Sequence, residues 1–495
     1  MLFNSIEFAV FLPIVFFLYW FCAAKSLKAQ NLLIVVSSYV FYGWWDWRFL
    51  SLIFISTLED YFAAMMIHGT SDERKRKMWL YASVLVNVWI LVFFKYCNFF
   101  IDNFAAAVTL FGVKPNISSL NIILPVGISF YTFQTMSYTI DVYKRKMEPT
   151  KDFVSFAAFV SFFPQLVAGP IERAVNLLPQ FYNKRAFDYK KAVDGMRQIL
   201  WGLFKKIAVA DNCAAYVNWV FGAVAGNYEN PAYDMVTGSA VTLLFGAVFF
   251  AFQIYCDFSG YSDIAIGTAR LFGFNLTRNF NYPYFSRDIA EFWRRWHISL
   301  TTWFRDYIYI PLGGGRVSKA KIVRNIFIVF LLSGFWHGAN WTFILWGAFH
   351  AACFLPLILL GKNRKHTDTA ADGKLLPSVK EIFQMGATFL LALIGWVFFR
   401  AENIGQAFEY LGGMADKSLF SPCLLYKKTE ALVTSALIIC MLAVEWVGRK
   451  DKFGLEKLGI TWRPIFRYAM YYAVMLLTIY FAGSEQKQAF IYFQF

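Results

Sequence analysis

Residues 322–361 read IVRNIFIVFLLSGFWHGANWTFILWGAFHAACFLPLILLG and contain two apolar runs, 322–337 and 339–361, that meet at the HGAN sequence of 337–340. A helix needs about 20 predominantly apolar residues to cross the hydrocarbon core of a bilayer. Lysines and arginines flank the pair on both sides, and such residues accumulate in cytoplasmic loops. The stretch therefore predicts a transmembrane helical hairpin whose turn lies away from the cytoplasm.

Similar apolar runs recur along the whole chain. Of its 495 residues, 58% are hydrophobic, 20% aromatic and 16% charged, whereas soluble proteins carry about 25% charged residues. The predicted spans or re-entrant segments are approximately 5–22, 30–47, 49–67, 78–101, 120–142, 152–170, 194–225, 235–257, 322–337, 339–361, 381–400, 430–448 and 465–483. We predict an all-α polytopic membrane protein with about 11 to 13 transmembrane or re-entrant helices.

The connections between these runs are short, and no stretch has the composition of a soluble domain. We therefore expect one membrane domain over 1–495, with its core motifs in 120–360 and its C-terminal helices and tail in 381–495. The seven cysteines show no CxxC pair and no metal-ligand spacing, so neither a disulfide framework nor a metal site is predicted.

The formal net charge of +15 fits the excess of lysine and arginine in cytoplasmic loops better than nucleic-acid binding, which we do not predict. Basic clusters follow alternate spans, so both termini are expected on the extracytoplasmic side. The segment 152–170 breaks this alternation because basic residues follow it, and we interpret it as re-entrant. Lys427 and Lys428 fall on the outer side by this count and do not fit the pattern.

His337 lies at the turn of the predicted hairpin, between two strongly apolar runs. An ionisable residue at membrane depth is costly and indicates a functional site, although a buried, hydrogen-bonded structural histidine is an alternative of equal weight. An imidazole, with an unperturbed pKa of about 6.5, can take a proton from a hydroxyl and return it, as a general base does. Asn340 or the backbone amides of the turn are candidates to stabilise an oxyanion.

His297 lies in the sequence RDIAEFWRRWHIS, residues 287–299, which is too charged to span lipid and is dense in tryptophan. One interpretation is an interfacial amphipathic helix. Another is that Arg294, Arg295 and Arg305 contact the phosphates of a cytosolic donor such as coenzyme A, because guanidinium groups pair with phosphate in a bidentate manner. The two interpretations are compatible.

Asp257 and Asp263 lie at the end of the predicted span 235–257. They are interpreted either as a capped helix boundary or as partners of the arginine-rich segment.

Several longer motifs carry a family resemblance: VAGPIER (167–173), YCDFSGYSDIAIG (255–267), NFNYPYFSRDIAEFWRRWHISLTTWFRDYIYIPLGG (279–314) and SGFWHGANWTFILWGAFH (333–350). Together with LFNSIEF (2–8) and FIYFQF (490–495), they resemble the membrane-bound O-acyltransferase (MBOAT) family over essentially the whole chain. The resemblance is to the branch that O-acetylates alginate and peptidoglycan, with D-alanyl transferases close by.

The resemblance implies a ring of tilted helices around a thin centre, where a cytosolic funnel meets an extracytoplasmic one. It also implies that His337 matches the family's essential histidine and that His297 matches its second characteristic histidine. The expected chemistry takes an acetyl group from acetyl-CoA, a substrate rather than a bound cofactor, and passes it across a bacterial inner membrane to a polysaccharide hydroxyl. A periplasmic SGNH-type transferase is the expected partner.

Alternatives to this function remain open. D-alanyl transfer keeps the enzyme class and changes the acyl group, and a lipid or protein acceptor changes only the acceptor. A transporter or flippase shares the hydrophobic spans and the intramembrane histidine, but it commonly shows paired repeats, and none is evident in the sequence.

The last six residues, 490–495, are unusually apolar for a tail that is predicted to lie outside the membrane. A free apolar tail is sticky, so we expect this one to dock in a groove. Tyr492 would then be placed to carry the acyl group onward from His337 as a relay. The alternative is that the tail only anchors a partner or packs on its own protein.

Overall fold

A computed structural model describes residues 1–112, 120, 122–167, 169–226, 232–420, 423–483 and 490–491. Across these residues the regular secondary structure consists of helices, without a β-strand, which confirms the all-α prediction. The chain forms two compact units, one of Met1–Met196 with Ala265–Thr277 and the other of Arg197–Ile264 with Arg278–Phe495. The single domain expected over 1–495 stays a prediction.

The first unit contains the N-terminal helices. They are α1 Ile6–Phe17, α2 Leu27–Asp46, α3 Leu50–Gly69, α4 Glu73–Leu91, α5 Cys97–Leu110, α6 Ile128–Tyr143, α7 Phe153–Ser161, α8 Phe163–Leu166 and α9 Ala174–Leu177. Side-chain caps begin several of them: Ser5 accepts from the backbone N–H of Phe8, and Ser26 accepts from that of Ala29. Such caps satisfy N–H groups that the first turn of a helix leaves without an intrahelical partner.

The predicted re-entrant segment 152–170 is an interrupted helix. Helix α7 ends at Ser161, Phe162 leaves the helical conformation, and the short α8 follows with Pro164 in its first turn. Proline is tolerated at this position because the N–H it lacks would have no intrahelical acceptor. The side chains of α8 are buried, and irregular backbone at membrane depth requires such cover. The side to which the segment returns stays a prediction.

Helix α10, Tyr189–Leu203, begins in the first unit and ends in the second, which holds the remaining helices. They are α11 Asp211–Ala225, α12 Tyr233–Thr237, α13 Ala240–Leu271, α14 Ile289–Arg295, α15 Ile298–Phe304, α16 Lys319–His337, α17 Trp341–Leu359, α18 Val379–Arg400, α19 Ile404–Met414, α20 Lys428–Val447 and α21 Pro464–Ala482. The last residues of α13, from Ala265 onward, belong to the first unit. A π-helical segment, Phe204–Ala210, joins α10 to α11.

Nine helical segments of the described chain are long and apolar enough to cross a membrane, and two shorter apolar helices, Ile6–Cys22 and Phe153–Leu166, accompany them. The protein is therefore a multi-pass membrane protein. The predicted span 120–142 is only partly helical: α6 begins at Ile128, and its side chains are almost all buried.

Helix α13 corrects a prediction from the sequence. It is 32 residues long, so Asp257 and Asp263 lie inside the helix rather than at the end of a span. Their partners are lysines, with Lys206 Nζ 2.7 Å from Asp257 Oδ1 and Lys205 Nζ 2.7 Å from Asp263 Oδ2. Both interpretations from the sequence, a capped boundary and pairing with the arginine-rich segment, were wrong. Charge pairing is what allows these carboxylates inside an apolar helix.

Helices α16 and α17 form the predicted hairpin. A Cβ atom on Gly334 would lie 2.2 Å from the carbonyl oxygen of Phe343, and one on Gly347 would lie 2.3 Å from that of Phe330. The two backbones thus touch where each helix carries a glycine, as small residues allow in membrane helix pairs. This contact fixes the end of α16, where His337 lies.

Candidate functional site

His337 is the last residue of α16 and is 3% exposed. Among the described residues, aromatic rings that contact its imidazole have centroid distances of 5.0 Å for Trp336, 5.1 Å for Trp346 and 5.3 Å for Phe399. These rings come from α16, α17 and α18, so three membrane helices position the histidine. A funnel that reaches it from either face stays a prediction.

Asn340 caps the N-terminus of α17. Its Oδ1 accepts from the backbone N–H of Thr342 at 3.0 Å, and its Nδ2 donates to the carbonyl oxygen of Glu402 at 2.8 Å. The amide therefore makes two hydrogen bonds within the protein and holds the hairpin turn against the chain after α18. Its suggested contact with an oxyanion stays a prediction.

His297 lies between α14 and α15 with φ 42° and ψ 55°, a left-handed conformation that is uncommon for residues other than glycine. Its side chain is 1% exposed. Phe258 of α13 meets the imidazole edge to face, with the ring centroids 4.6 Å apart. The break between the two short helices thus turns the imidazole into the protein interior.

Asn279 fixes the tautomer of His297. Its Oδ1 lies 3.0 Å from His297 Nδ1, and it also accepts from the backbone N–H of Ser299 at 3.3 Å and from the hydroxyl of Ser299 at 2.9 Å. Because a backbone N–H only donates, this amide atom is the oxygen, and Nδ1 of His297 must carry a proton. Burial lowers the pKa of His297 to about 3. The imidazole is therefore neutral at pH 7, with its basic lone pair on Nε2.

Trp336 connects the two predicted catalytic histidines. Its ring centroid lies 6.0 Å from that of His297 and 5.0 Å from that of His337. Trp336 thus contacts the histidines of two separate sequence motifs. We call Trp336, His297 and His337 the aromatic layer.

The two arginines of α14 hold a loop of the protein. Arg294 donates to the carbonyl oxygens of Asn363 and His366, each at 2.5 Å. Arg295 donates to Glu291 Oε1 at 2.7 Å and to the carbonyl oxygen of Asp368 at 3.0 Å. Their predicted contact with a donor's phosphates is not tested by these bonds and stays a prediction.

Arg305 differs from the arginines of α14. Its side chain is 56% exposed and pairs with the neighbouring Asp306 at 2.6 Å. An exposed guanidinium of this kind remains available to a phosphate.

Tyr492 lies outside the described residues, but the two residues before it are described. Phe490 and Ile491 are 0% and 1% exposed. The centroid of the Phe490 ring lies 4.6 Å from that of Tyr261 and 5.7 Å from that of Phe258, the ring that also contacts His297. The start of the tail therefore docks beside the second histidine, while the relay role of Tyr492 stays a prediction.

Asn279, Trp336 and Phe399 are site residues that the sequence patterns did not indicate. Asn279 opens the motif 279–314 and Trp336 directly precedes His337, so their places in the motifs are the signal that could have indicated them. Phe399 lies in an otherwise ordinary apolar run, and no pattern distinguishes it.

The chain matches one protein family and several curated relatives. Residues 34–398 match the model of the MBOAT, membrane-bound O-acyltransferase, family. The chain is 37% identical to the probable alginate O-acetylase AlgI of Pseudomonas putida, covering 100% of both chains. It is 36% identical to the peptidoglycan O-acetyltransferase of Helicobacter pylori, over 87% of this chain and 82% of that one.

A more distant relative is the teichoic acid D-alanyltransferase of Bacillus subtilis, which is 27% identical over 58% of this chain and 72% of that one. The family match covers most of the chain, and the histidines of the buried aromatic layer lie within it. The chain belongs to the membrane-bound O-acyltransferase family and is a multi-pass membrane acyltransferase.

Proposed function

We propose that this acyltransferase takes an acetyl group from acetyl-CoA in the cytosol and passes it across the bacterial inner membrane for O-acetylation of an extracytoplasmic polysaccharide. The relatives named for alginate and peptidoglycan O-acetylation support acetyl over D-alanyl transfer, because they are the more similar ones. The observation that carries the proposal is the buried aromatic layer in which Trp336 contacts both His297 and His337.

In the proposed reaction His337 acts as the general base. It takes the proton of an alcohol or phenol whose oxygen attacks the thioester carbonyl. The carbon–sulfur bond then breaks, and the coenzyme A thiolate leaves with the proton that His337 returns. A positioned base contributes roughly 10²- to 10⁴-fold to such a reaction. His297, neutral and oriented by Asn279, presents a hydrogen-bond acceptor in the same layer.

The first acceptor in this proposal is the phenol of Tyr492. The phenolic oxygen forms an ester with the acetyl group, and coenzyme A leaves as its thiol. A hydroxyl then attacks the tyrosyl ester and restores the phenol. Burial of Phe490 and Ile491 beside the Phe258–His297 pair supports this order, because Tyr492 is the next residue of the chain. A periplasmic SGNH-type partner would complete delivery to polysaccharide that extends away from the membrane.

The general-base step is tested by His337→Asn in the purified full-length protein, measured as release of free coenzyme A from acetyl-CoA. His350→Asn is the matched control, because His350 is also buried in the hairpin and its ring centroid lies 5.0 Å from that of Trp346. We expect at least a 10²-fold loss for His337→Asn and retained turnover for the control. Equal turnover in both variants would overturn the general-base role, and the absence of thioester cleavage in the unmodified protein would favour a transporter.

The relay is tested by Tyr492→Phe, which removes only the phenolic oxygen. We expect loss of polymer acetylation and loss of an acetylated C-terminal peptide in mass spectra of the protein incubated with acetyl-CoA. Full acetylation of the polymer by the variant would end the relay proposal and leave His337 as the base for direct transfer.

A further inference from the structure

We infer that Asp257, held by Lys206, is the positioning residue that docks the C-terminal tail beside His297. We call the three residues Lys206, Asp257 and Ile491 the tail latch. The backbone N–H of Ile491 donates to Asp257 Oδ2 at 2.6 Å, between residues 234 positions apart. This inference rests on the proposed function only in the purpose it gives to the docked tail.

The lysine of the latch is placed by a close helix contact. A Cβ atom on Gly202 would lie 2.6 Å from the carbonyl oxygen of Gly260, and one on Gly260 would lie 2.7 Å from that of Gly202. Helix α10 and helix α13 therefore touch backbone to backbone immediately before the π-helical segment Phe204–Ala210. π-Helical segments inside α-helices are frequent at functional sites.

The charges of this segment are paired with α13 and α11. Lys206 is 1% exposed and lies 2.7 Å from both Asp257 and Asp211. Removing one partner of a buried ion pair leaves an uncompensated charge and is strongly unfavourable. Asp257 thus takes part both in an ion pair with Lys206 and in a hydrogen bond from the tail, and a carboxylate in an ion pair is a stronger acceptor for an N–H than a neutral group.

One carboxylate oxygen of Asp257 faces the lysine and the other faces the tail. Oδ1 pairs with Lys206, and Oδ2 accepts from Ile491. The N–H of Ile491 thus supplies a hydrogen-bond donor to the second oxygen of a carboxylate inside a membrane helix. A carboxylate oxygen without a partner in such a place is energetically costly. Docking of Ile491 and the ion pair between Lys206 and Asp257 therefore depend on the same carboxylate.

Aromatic contacts set the direction of the docked tail. Phe490 packs on Tyr261, one helical turn after Asp257, and on Phe258. The ring centroid of Phe258 in turn lies 4.6 Å from that of His297. The Phe258 ring thus contacts both Phe490 and His297, and the latch fixes Phe490 and Ile491 relative to that histidine.

Asp263 offers a matched control for Asp257. It lies on the same helix, also pairs with a lysine at 2.7 Å, and accepts from Gln198 Nε2 at 2.7 Å. Its ion pair supports α13 in the same way, but its described contacts are with Lys205 and Gln198 rather than the tail. A general structural role predicts equal effects of Asp257→Asn and Asp263→Asn, whereas the latch predicts different ones.

The test is hydrogen–deuterium exchange of the full-length protein in lipid nanodiscs, followed by mass spectrometry of the C-terminal peptide. We expect the Ile491 amide to exchange at least 10-fold faster in Asp257→Asn than in the unmodified protein, and at an unchanged rate in Asp263→Asn. An unchanged rate in Asp257→Asn, or the same increase in both variants, would overturn the latch. Exchange in α16 and α17 reports whether each variant is folded.

A second variant covers the case in which Asp257→Asn does not fold. Phe490→Ala leaves α13 intact and removes the ring that packs on Tyr261 and Phe258. Faster exchange at Ile491 in this variant supports docking on this face of α13, and an unchanged rate overturns it. Neither exchange measurement involves acyl transfer, so the two proposals can fail separately. If Tyr492→Phe keeps full activity while the exchange data support the latch, the relay is refuted and the latch is retained.

Discussion

Oδ1 of Asn279 lies 3.0 Å from Nδ1 of His297 and accepts at the same time from the backbone and side chain of Ser299. One amide oxygen thus holds the imidazole and the first turn of α15 in a fixed relation. The left-handed backbone of His297 is tolerated where the surrounding contacts over-determine it.

We expect Asn279→Ala to lower acetyl transfer about 10- to 100-fold, since loss of orientation by about 1 Å can cost that much. The measurement is coenzyme A release at saturating acetyl-CoA. Ser262→Ala is the control, because its hydroxyl accepts from Nδ2 of the same amide at 3.2 Å and leaves Oδ1 in place. Equal losses in both variants would contradict an orienting role of Asn279 Oδ1.

The hairpin contact predicts a stability effect. Gly334→Ala or Gly347→Ala forces a Cβ atom to within about 2.3 Å of a carbonyl oxygen, and overpacking of this kind costs about 1–3 kcal/mol. We expect a lower melting temperature in detergent and lower activity, because the hairpin positions His337. Gly386→Ala in α18 is the matched control, since no atom of the described residues outside its own helical backbone lies within 4 Å of its Cβ position. A similar melting temperature for all three variants would show that the close backbone contact between α16 and α17 does not determine the stability of the protein.

Glu172 predicts a pH dependence of stability. The carboxyl is buried and accepts from the backbone N–H and the hydroxyl of Thr277. Burial raises its pKa from 4.5 to about 7. Between these values the folded protein keeps a proton that the unfolded chain releases. Stability therefore falls as the pH rises from about 4.5 to 7, by about 3 kcal/mol, and is level above 7.

The melting temperature across pH 5 to 8 measures this effect. Glu172→Gln, which cannot ionise, is expected to remove this part of the slope. An unchanged slope in the variant would assign the dependence to another group.

Arg305 predicts a binding effect without a stability effect. If its exposed guanidinium contacts a phosphate of acetyl-CoA, Arg305→Ala raises KM about 10-fold, or about 1.4 kcal/mol, with kcat unchanged. Arg48→Ala is the matched control, because Arg48 is 60% exposed, pairs with Asp46 at 2.6 Å, and lies on the opposite side by the predicted orientation. Equal KM values for the two variants would exclude Arg305 as a donor contact.

Hydropathy predicted the hairpin of α16 and α17 because each run carries few charges and a polar turn separates them. The same approach ended the span 235–257 too early, since Asp257 interrupts the apolar run in sequence. The lysines that neutralise the α13 carboxylates lie about 50 residues before them in the chain, on another helix. Pairings of this kind depend on packing, which a window of sequence does not contain.

In the candidate site, too, some residues could be predicted from the sequence and others could not. The motif histidines are conspicuous in sequence because an imidazole is rare between apolar runs. The contact of His297 with Trp336 was not predictable, because these two residues belong to separate motifs that are far apart in the chain. The apolar composition of 490–495 suggested docking. Asp257, which accepts from Ile491, was interpreted from its sequence as a capped helix boundary or as a partner of the arginine-rich segment.

The rings of Trp336, Trp346 and Phe399 around His337 bear on chemical selectivity as well as on position. A base strong enough to activate an alcohol also activates water, and hydrolysis of the donor would consume thioester without product. An enclosure of indole and phenyl surfaces disfavours bulk solvent at the imidazole. If His337 is the base, as proposed, this enclosure conserves acyl groups for the acceptor, and we expect replacement of one of these rings by a smaller side chain to raise hydrolysis of the thioester.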